Sequence, residues 1–288
     1  MIQQIRKEKL RPFSPRALFR VDLHVHSRHS TCPSQWILQK MGCGESYTPP
    51  RKIYEIATAR GMDYVTITDH DTISGALEIA HLPRAFISEE ISAYFPEDQC
   101  EIHVLAWNIT ERQHEDITRL RTNIYELVPY LIQQDIPHAC AHPLCPANNR
   151  LTFGHVEQLI LMFSVFEQNG ARNHVQNMTL RKIVAGLSPE MTARMEDKHN
   201  LAAFVEQPWN KFFVAGSDDH SSCNIARSST TVAVPRCHVA DDSFSSTSGL
   251  LRAVMEGNTS VNIIPATPLA FAHNLYAITY QFYKKALD

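Results

Sequence analysis

What most constrains this chain is a regular alternation of strand-like and helix-like segments. Short apolar or period-two runs at 19 to 26, 64 to 68 (YVTIT), 85 to 92, 100 to 109 (CEIHVLAWNI), 138 to 142 (HACAH), 164 to 169 (SVFEQN), 211 to 218 (KFFVAGSD) and 229 to 235 (STTVAVP) predict strands. Between them, helices are expected from Pro50 onward, at 74 to 81 with Ser74 as N-cap, at 110 to 135 opened by Thr110 and Glu111, and at 152 to 162, 173 to 186 and 188 to 205. Such alternation implies parallel strands joined by helical crossovers. Seven or eight units in 288 residues favour a closed, TIM-like α/β barrel over an open sheet.

Composition narrows the function classes. A net charge of −3 argues against a general nucleic-acid binder, which would carry a basic excess. The first 20 residues hold six Lys and Arg but no apolar core follows, so a secretory signal is not expected, and no run approaches a membrane span. Seven dispersed cysteines without a C-x-x-C pair suit reduced thiols in a cytoplasm. The expected organisation is an N-terminal arm (1 to 19), a barrel (20 to 265) and an amphipathic C-terminal helix packed on it (266 to 288).

In such barrels the chemistry sits at the C-terminal ends of the strands. The first strand carries His24 and His26, which two-residue alternation turns to one face while Leu23 and Val25 take the other. One H-x-H triplet means little, since 15 His in 288 residues give roughly 0.8 of them by chance. The repetition is the signal: Asp69, His70 and Asp71 end the second strand, Glu89 and Glu90 lie in the third and His103 in the fourth. His142, then Glu167 and Asn169, then Asp218, Asp219 and His220 follow on the later strands. Imidazole and carboxylate ligate zinc, manganese and iron, and this set exceeds the ligands of one catalytic zinc. Two or three divalent ions (Zn, Mn or Fe) sharing a carboxylate describe a phosphoester hydrolase.

The motifs VDLHVHS, TITDHD, EEIS, HVLAW, AHP and GSDDH, in this order across residues 20 to 235, resemble the polymerase and histidinol phosphatase (PHP) family. The resemblance implies a distorted (β/α)7 barrel, a two- or three-metal cluster, and hydrolysis of a phosphomonoester or phosphodiester by a metal-bridging hydroxide. Matched by position, His24, His26 and Asp218 would hold one ion, Glu90 would bridge, His103 and His142 would hold a second ion, and His70 and His220 a third. Family members complete the third site shortly after the first motif. Here Cys32 stands eight residues after His24, and a thiolate there is the candidate ligand.

Glu90, Asp218 and Asp69 are the expected catalytic carboxylates, Asp69 by orienting a ligand or moving a proton. A small phosphorylated substrate would want fixed donors, for which Arg150, Arg172, Arg227 and His29 are the candidates, and Glu167 and Asn169 at a strand end are read as facing the substrate. Ser217 lacks a G-x-S-x-G elbow and is not read as a nucleophile. Two rival classes remain. One is a metal-dependent amidohydrolase. The other is a non-catalytic metal-binding module associated, by loose analogy through the insertion SQWILQKMGCGESYTPP, with glycosyltransferase or polysaccharide functions.

Overall fold

The structure is a computed structural model that describes residues 16–30, 44–235 and 244–287. Its centre is a sheet of nine strands among the described residues, in the order β7-β6-β5-β4-β3-β2-β1-β8-β9. The strands are β1 (Arg16–Asp22), β2 (Tyr64–Ile67), β3 (Ala85–Tyr94), β4 (Glu101–Trp107), β5 (His138–Cys140), β6 (Val165–Asn169), β7 (Phe212–Gly216), β8 (Ser229–Pro235) and β9 (Thr259–Asn262). The helices are α1 (Pro50–Ala59), α2 (Ser74–Ile79), α3 (Glu111–Leu120), α4 (Ile124–Gln133), α5 (Phe153–Met162), α6 (His174–Ala185), α7 (Pro189–His199), α8 (Phe244–Met255) and α9 (Pro268–Leu287).

The sheet is nearly closed. Beyond their last paired residues, the continuations of β1 and β7 run side by side: Asp218 N donates to the His24 carbonyl (2.7 Å) and His26 N to the Asp219 carbonyl (3.1 Å). At the other end β8 and β9 fill the gap, β8 antiparallel to β1. Side chains stitch this seam. Ala215 N donates to Thr230 Oγ1 (2.7 Å), and Thr259 Oγ1 donates to the Phe213 carbonyl (2.8 Å).

The all-parallel expectation fails at β4, which pairs antiparallel with both β3 and β5. A tight hairpin at residues 95 to 100 replaces a helical crossover, with Phe95 N donating to the Cys100 carbonyl and Gln99 N to the Phe95 carbonyl. His103, near the start of β4, therefore reaches the same barrel end as the C-terminal ends of its neighbours. Pairing opposes Glu90 to Leu105, and Leu105 and Trp107 join Val21, Leu23, Phe86, Ala139 and Val214 in the apolar plug that fills the barrel below this end. Period-two alternation then points Glu90 inward and Glu89 outward, where Glu89 meets His114 of α3 (2.7 Å).

β1 corrects the sequence reading in two ways. It begins at Arg16, inside the segment expected to be an arm, and its regular pairing stops at Asp22. Leu23 packs with the interior plug, whereas Val25 packs with Ile53 and Ile67 beneath α1 and α2, so the two do not share a face. The break is held by the buried Asp22 carboxylate, which accepts from His24 N (3.3 Å), Ser217 N (2.8 Å) and Ala226 N (2.7 Å). It lets both Leu23 and His24 face inward.

Helix limits differ for local reasons. The expected helix at 110 to 135 is two, α3 with a Thr110–Gln113 capping box and α4 capped by Asn123. Ser74 is the first residue of α2 rather than its N-cap, and α7 ends at His199 because Asn200 turns left-handed. Elements α8 and β9 were not anticipated. The C-terminal helix is present as α9, with Ile278 buried against Tyr47.

Candidate metal centre

The inward polar residues of six chain segments meet at one end of the barrel around the buried Glu90. Its Oε2 lies 3.0 Å from His24 Nε2, 3.1 Å from His26 Nε2 and 3.4 Å from His70 Nε2. Its Oε1 lies 3.0 Å from His103 Nδ1 and 3.0 Å from His142 Nε2. One carboxylate thus faces two groups of imidazoles with its two oxygens. Asp218 Oδ1 stands 3.5 Å from His24 Nε2 and 3.4 Å from His26 Nε2 on the first side. Asp218 and His142 have positive φ (48° and 25°), the cost of turning these side chains inward just past their strands.

A further group lies alongside. His26, His70 and His220 gather with Glu45, which no sequence argument singled out. Glu45 Oε1 is 3.3 Å from His220 Nε2, and Oε2 is 3.7 Å from His70 Nε2. Ser30 fixes this carboxylate by donating to Oε2 (2.8 Å), while its own oxygen accepts from His70 N (3.2 Å). Cys32, the residue expected in this role, lies outside the described residues. The only trace of Glu45 in the sequence is a carboxylate in GES, inside a loop whose return to the barrel depends on tertiary contacts such as Arg28 N to the Thr48 carbonyl (2.9 Å).

The donor set fits divalent ions. With metal–ligand bonds of about 2.0–2.2 Å, neighbouring ligands of a tetrahedral ion sit about 3.3–3.6 Å apart, and those of an octahedral one somewhat closer. The atoms around Glu90 show this spacing. His24 Nε2 and His26 Nε2 are 3.0 Å apart and could share at most one proton between them. His70 Nδ1, His103 Nδ1 and His220 Nε2 are buried without a well-formed hydrogen bond, which is costly unless something else engages the cluster.

Electrostatics follow from crowding. Burial alone would raise Glu90 and Asp218, but the surrounding imidazoles hold both well below the usual carboxylate range. Glu45 is likewise held low, against burial, by His70 and His220. Burial pulls His26 and His103 down, yet their carboxylate partners outweigh it and push each up to about 10. For His70 burial wins, lowering it to about 4, so this ring is neutral at pH 7.

No protein-family profile matches the chain. An uncharacterised protein of Methanocaldococcus jannaschii is 27% identical over 173 residues, 58% of this chain and 93% of that protein. Among solved structures, PsfC of Pseudomonas syringae PB-5123 superposes with a TM-score of 0.51 at 12% identity, over 94% of this chain and 99% of that one. The two share a fold. A candidate metal-dependent phosphoesterase of Bifidobacterium adolescentis (TM-score 0.41, 14% identity, 70% of this chain and 88% of that one) and a sulfate-bound amidohydrolase of Chromobacterium violaceum (0.39, 16%, 69% and 87%) overlap less.

The remaining sequence candidates divide. Glu167 backs the cluster: Oε1 is 2.9 Å from His24 Nδ1, and Oε2 accepts from His142 N (3.0 Å). Asn169 Nδ2 donates to Glu167 Oε2 (3.0 Å) and Asp218 Oδ2 (3.1 Å). Arg172 lies 3.6 Å from Asp218 Oδ2 and lines a narrow crevice, with room for about one water, together with His142, Cys145, Glu167, Asn169 and Asn177. Asp69 is tied to Ser27, accepting from its N (2.6 Å) and Oγ (2.7 Å), and so anchors the turn after His26. Three candidates are engaged elsewhere: His29 with Glu78 (2.7 Å), Arg227 with Asn224 (3.1 Å) and Arg150 with the Asp98 carbonyl.

Proposed function

We propose that the chain is a metal-dependent phosphoester hydrolase of the PHP type, built on a distorted seven-stranded (β/α) barrel into which β8 and β9 are spliced. The observation that carries this reading is the disposition of Glu90, whose Oε2 faces His24 and His26, with His70 slightly farther, and whose Oε1 faces His103 and His142, as a carboxylate shared between ions would. His24, His26, Glu90 and Asp218 would hold one ion, and Glu90, His103 and His142 a second. Glu45, His70 and His220 would hold a third. Such ions supply Lewis acidity toward phosphoryl oxygens and an activated water.

The protein's own residues do the rest. Glu167 and Asn169 orient His24 and Asp218 from behind, as carboxylate and amide partners commonly do for metal ligands. Arg172 offers a guanidinium fork from the cleft beside His142 to two oxygens of a phosphoryl group. Among the described residues Cys100, Cys140, Cys145 and Cys223 are free thiols.

The test couples elemental analysis of the purified protein to a screen of phosphomonoesters, phosphodiesters and C–N substrates. Bound divalent ions and phosphoester hydrolysis lost in His24→Ala and Asp218→Asn are expected. Hydrolysis of C–N bonds alone, or undiminished phosphoester turnover after chelation, would overturn the reading.

A further inference from the structure

The ligands of the third group differ from the others in how they are held. His24, Glu90, His103, His142 and Asp218 sit on barrel strands or within two residues of them, and His70 and His26 follow three and four residues after theirs, whereas Glu45 hangs on a loop and His220, four residues past β7, opens another. Both loops are gripped by the same element, α9.

On one side, Asn274 Oδ1 accepts from Asn224 Nδ2 (2.7 Å) and Ser221 Oγ (2.9 Å), and Gln281 Nε2 donates to the Ser221 carbonyl (3.4 Å). Ser221 directly follows His220, and Asp219 knots the same turn by accepting from Asn224 N (3.0 Å). On the other side, Tyr47 packs against Ile278, Leu275 and Phe282, its ring centroid 6.4 Å from that of Phe282. Tyr47 in turn fixes the residue before Glu45, since its hydroxyl accepts from Gly44 N (2.7 Å). A bond between Thr48 Oγ1 and Ser222 Oγ (2.6 Å) joins the two loops directly. Leu275, Ile278 and Phe282 form one inward stripe, and Asn274 and Gln281, seven residues apart, flank it.

We propose that α9 is a clamp that assembles the third metal site, setting that ion's affinity through Asn274 and Phe282 without touching the other two ions. The inference rests on the metal-centre reading but not on the identity of the substrate. Asn274 and Phe282 are positioning residues, since neither reaches a ligand atom.

The experiment measures zinc and manganese stoichiometry and affinity of full-length protein by chelator competition and elemental analysis. In Asn274→Leu and in Phe282→Ala, one of about three ions is expected to bind about 10–100-fold more weakly while the others are unchanged, the range found when partners behind a metal ligand are removed. Asn274→Asp, which keeps the acceptor, restores the third ion, and Tyr276→Ala on the exposed face of the same helix leaves all of them in place. Should Asn274→Leu fail to fold, Phe282→Ala gives the same readout through the other loop. Fewer than three ions in the wild type, three ions retained at unchanged affinity in Phe282→Ala, or equal weakening of every ion would each overturn the clamp. A protein that binds three ions, loses one in these variants and hydrolyses no phosphoester would sink the enzymatic reading and leave the clamp standing.

Discussion

Gly216 at the end of β7 lies where the continuation of β1 crosses it, and a single methyl there tests whether the metal centre depends on that close approach. A Cβ built on Gly216 would fall 2.2 Å from His24 Cβ and 2.6 Å from His24 N. Apolar carbons touch at about 4 Å, so one chain must retreat by about 1.8 Å. The neighbouring bonds oppose any retreat, since Asp218 N to the His24 carbonyl (2.7 Å) and His26 N to the Asp219 carbonyl (3.1 Å) lock the two continuations together. Gly216 has no positive φ, so the penalty of Gly216→Ala is steric alone. Overpacking of this kind costs about 1–3 kcal/mol, against about 0.4–1 kcal/mol gained by stiffening the unfolded chain. The net expectation is a destabilisation of about 1–2 kcal/mol in urea unfolding of the metal-free protein. Because the displaced atoms belong to His24, whose carbonyl holds Asp218 N, metal retention at limiting metal falls as well. Gly186→Ala is the control, its Cβ meeting nothing nearer than 3.5 Å. Wild-type stability and full metal content in Gly216→Ala would refute the account of why β7 ends in glycine.

Other outcomes follow from the same geometry. Glu45→Gln keeps the bond from Ser30 but removes the charge facing His70 and His220, so one ion is lost in elemental analysis while those held around Glu90 persist. Without metal, His26 and His103 titrate near 10 and carry protons at pH 7, so metal binding must expel them. Apparent affinity therefore rises with pH, and calorimetry in buffers of different ionisation enthalpy shows proton release, whereas no release would contradict the crowding around Glu90. His138 is lowered by burial, with Nδ1 against the Ile136 carbonyl (2.7 Å). The unfolded chain then binds the extra proton below its ordinary pKa and stability falls as pH drops, so His138→Asn should lose less stability than wild type between pH 7 and pH 5 in urea titrations.

Strand positions were legible where period-two patterning and a buried face coincide, as at β2, β6 and β7. Direction was not, because β4 has the same pattern whichever way it runs. What reverses it is the short connection at residues 95 to 100, too tight for a helical crossover. The histidines of β1 were visible as a pair, but not the break at Asp22 that admits both Leu23 and His24 to the interior. That break depends on amides of Ser217 and Ala226, 195 and 204 residues away. Glu45 was hidden for a related reason. Its place is set by Ser30 and by the loop's packing on α9, contacts that leave no periodic mark.

These differences sort the proposed ligands by how strongly the chain constrains them. A residue on a ladder is placed by the backbone pairing of a whole sheet, so Glu90 cannot move without shifting its partners Leu105 on β4 and, through the bridge to His70, the end of β2. A loop-borne ligand is placed by a few side-chain bonds, each contributing about 0.5–1.5 kcal/mol, and such bonds can open without unfolding the barrel. The centre around Glu90 should therefore hold its ions through modest perturbation, while the Glu45 group should fill last and empty first on chelation. Simultaneous release of all ions at one chelator concentration would contradict this division between the barrel and its loops.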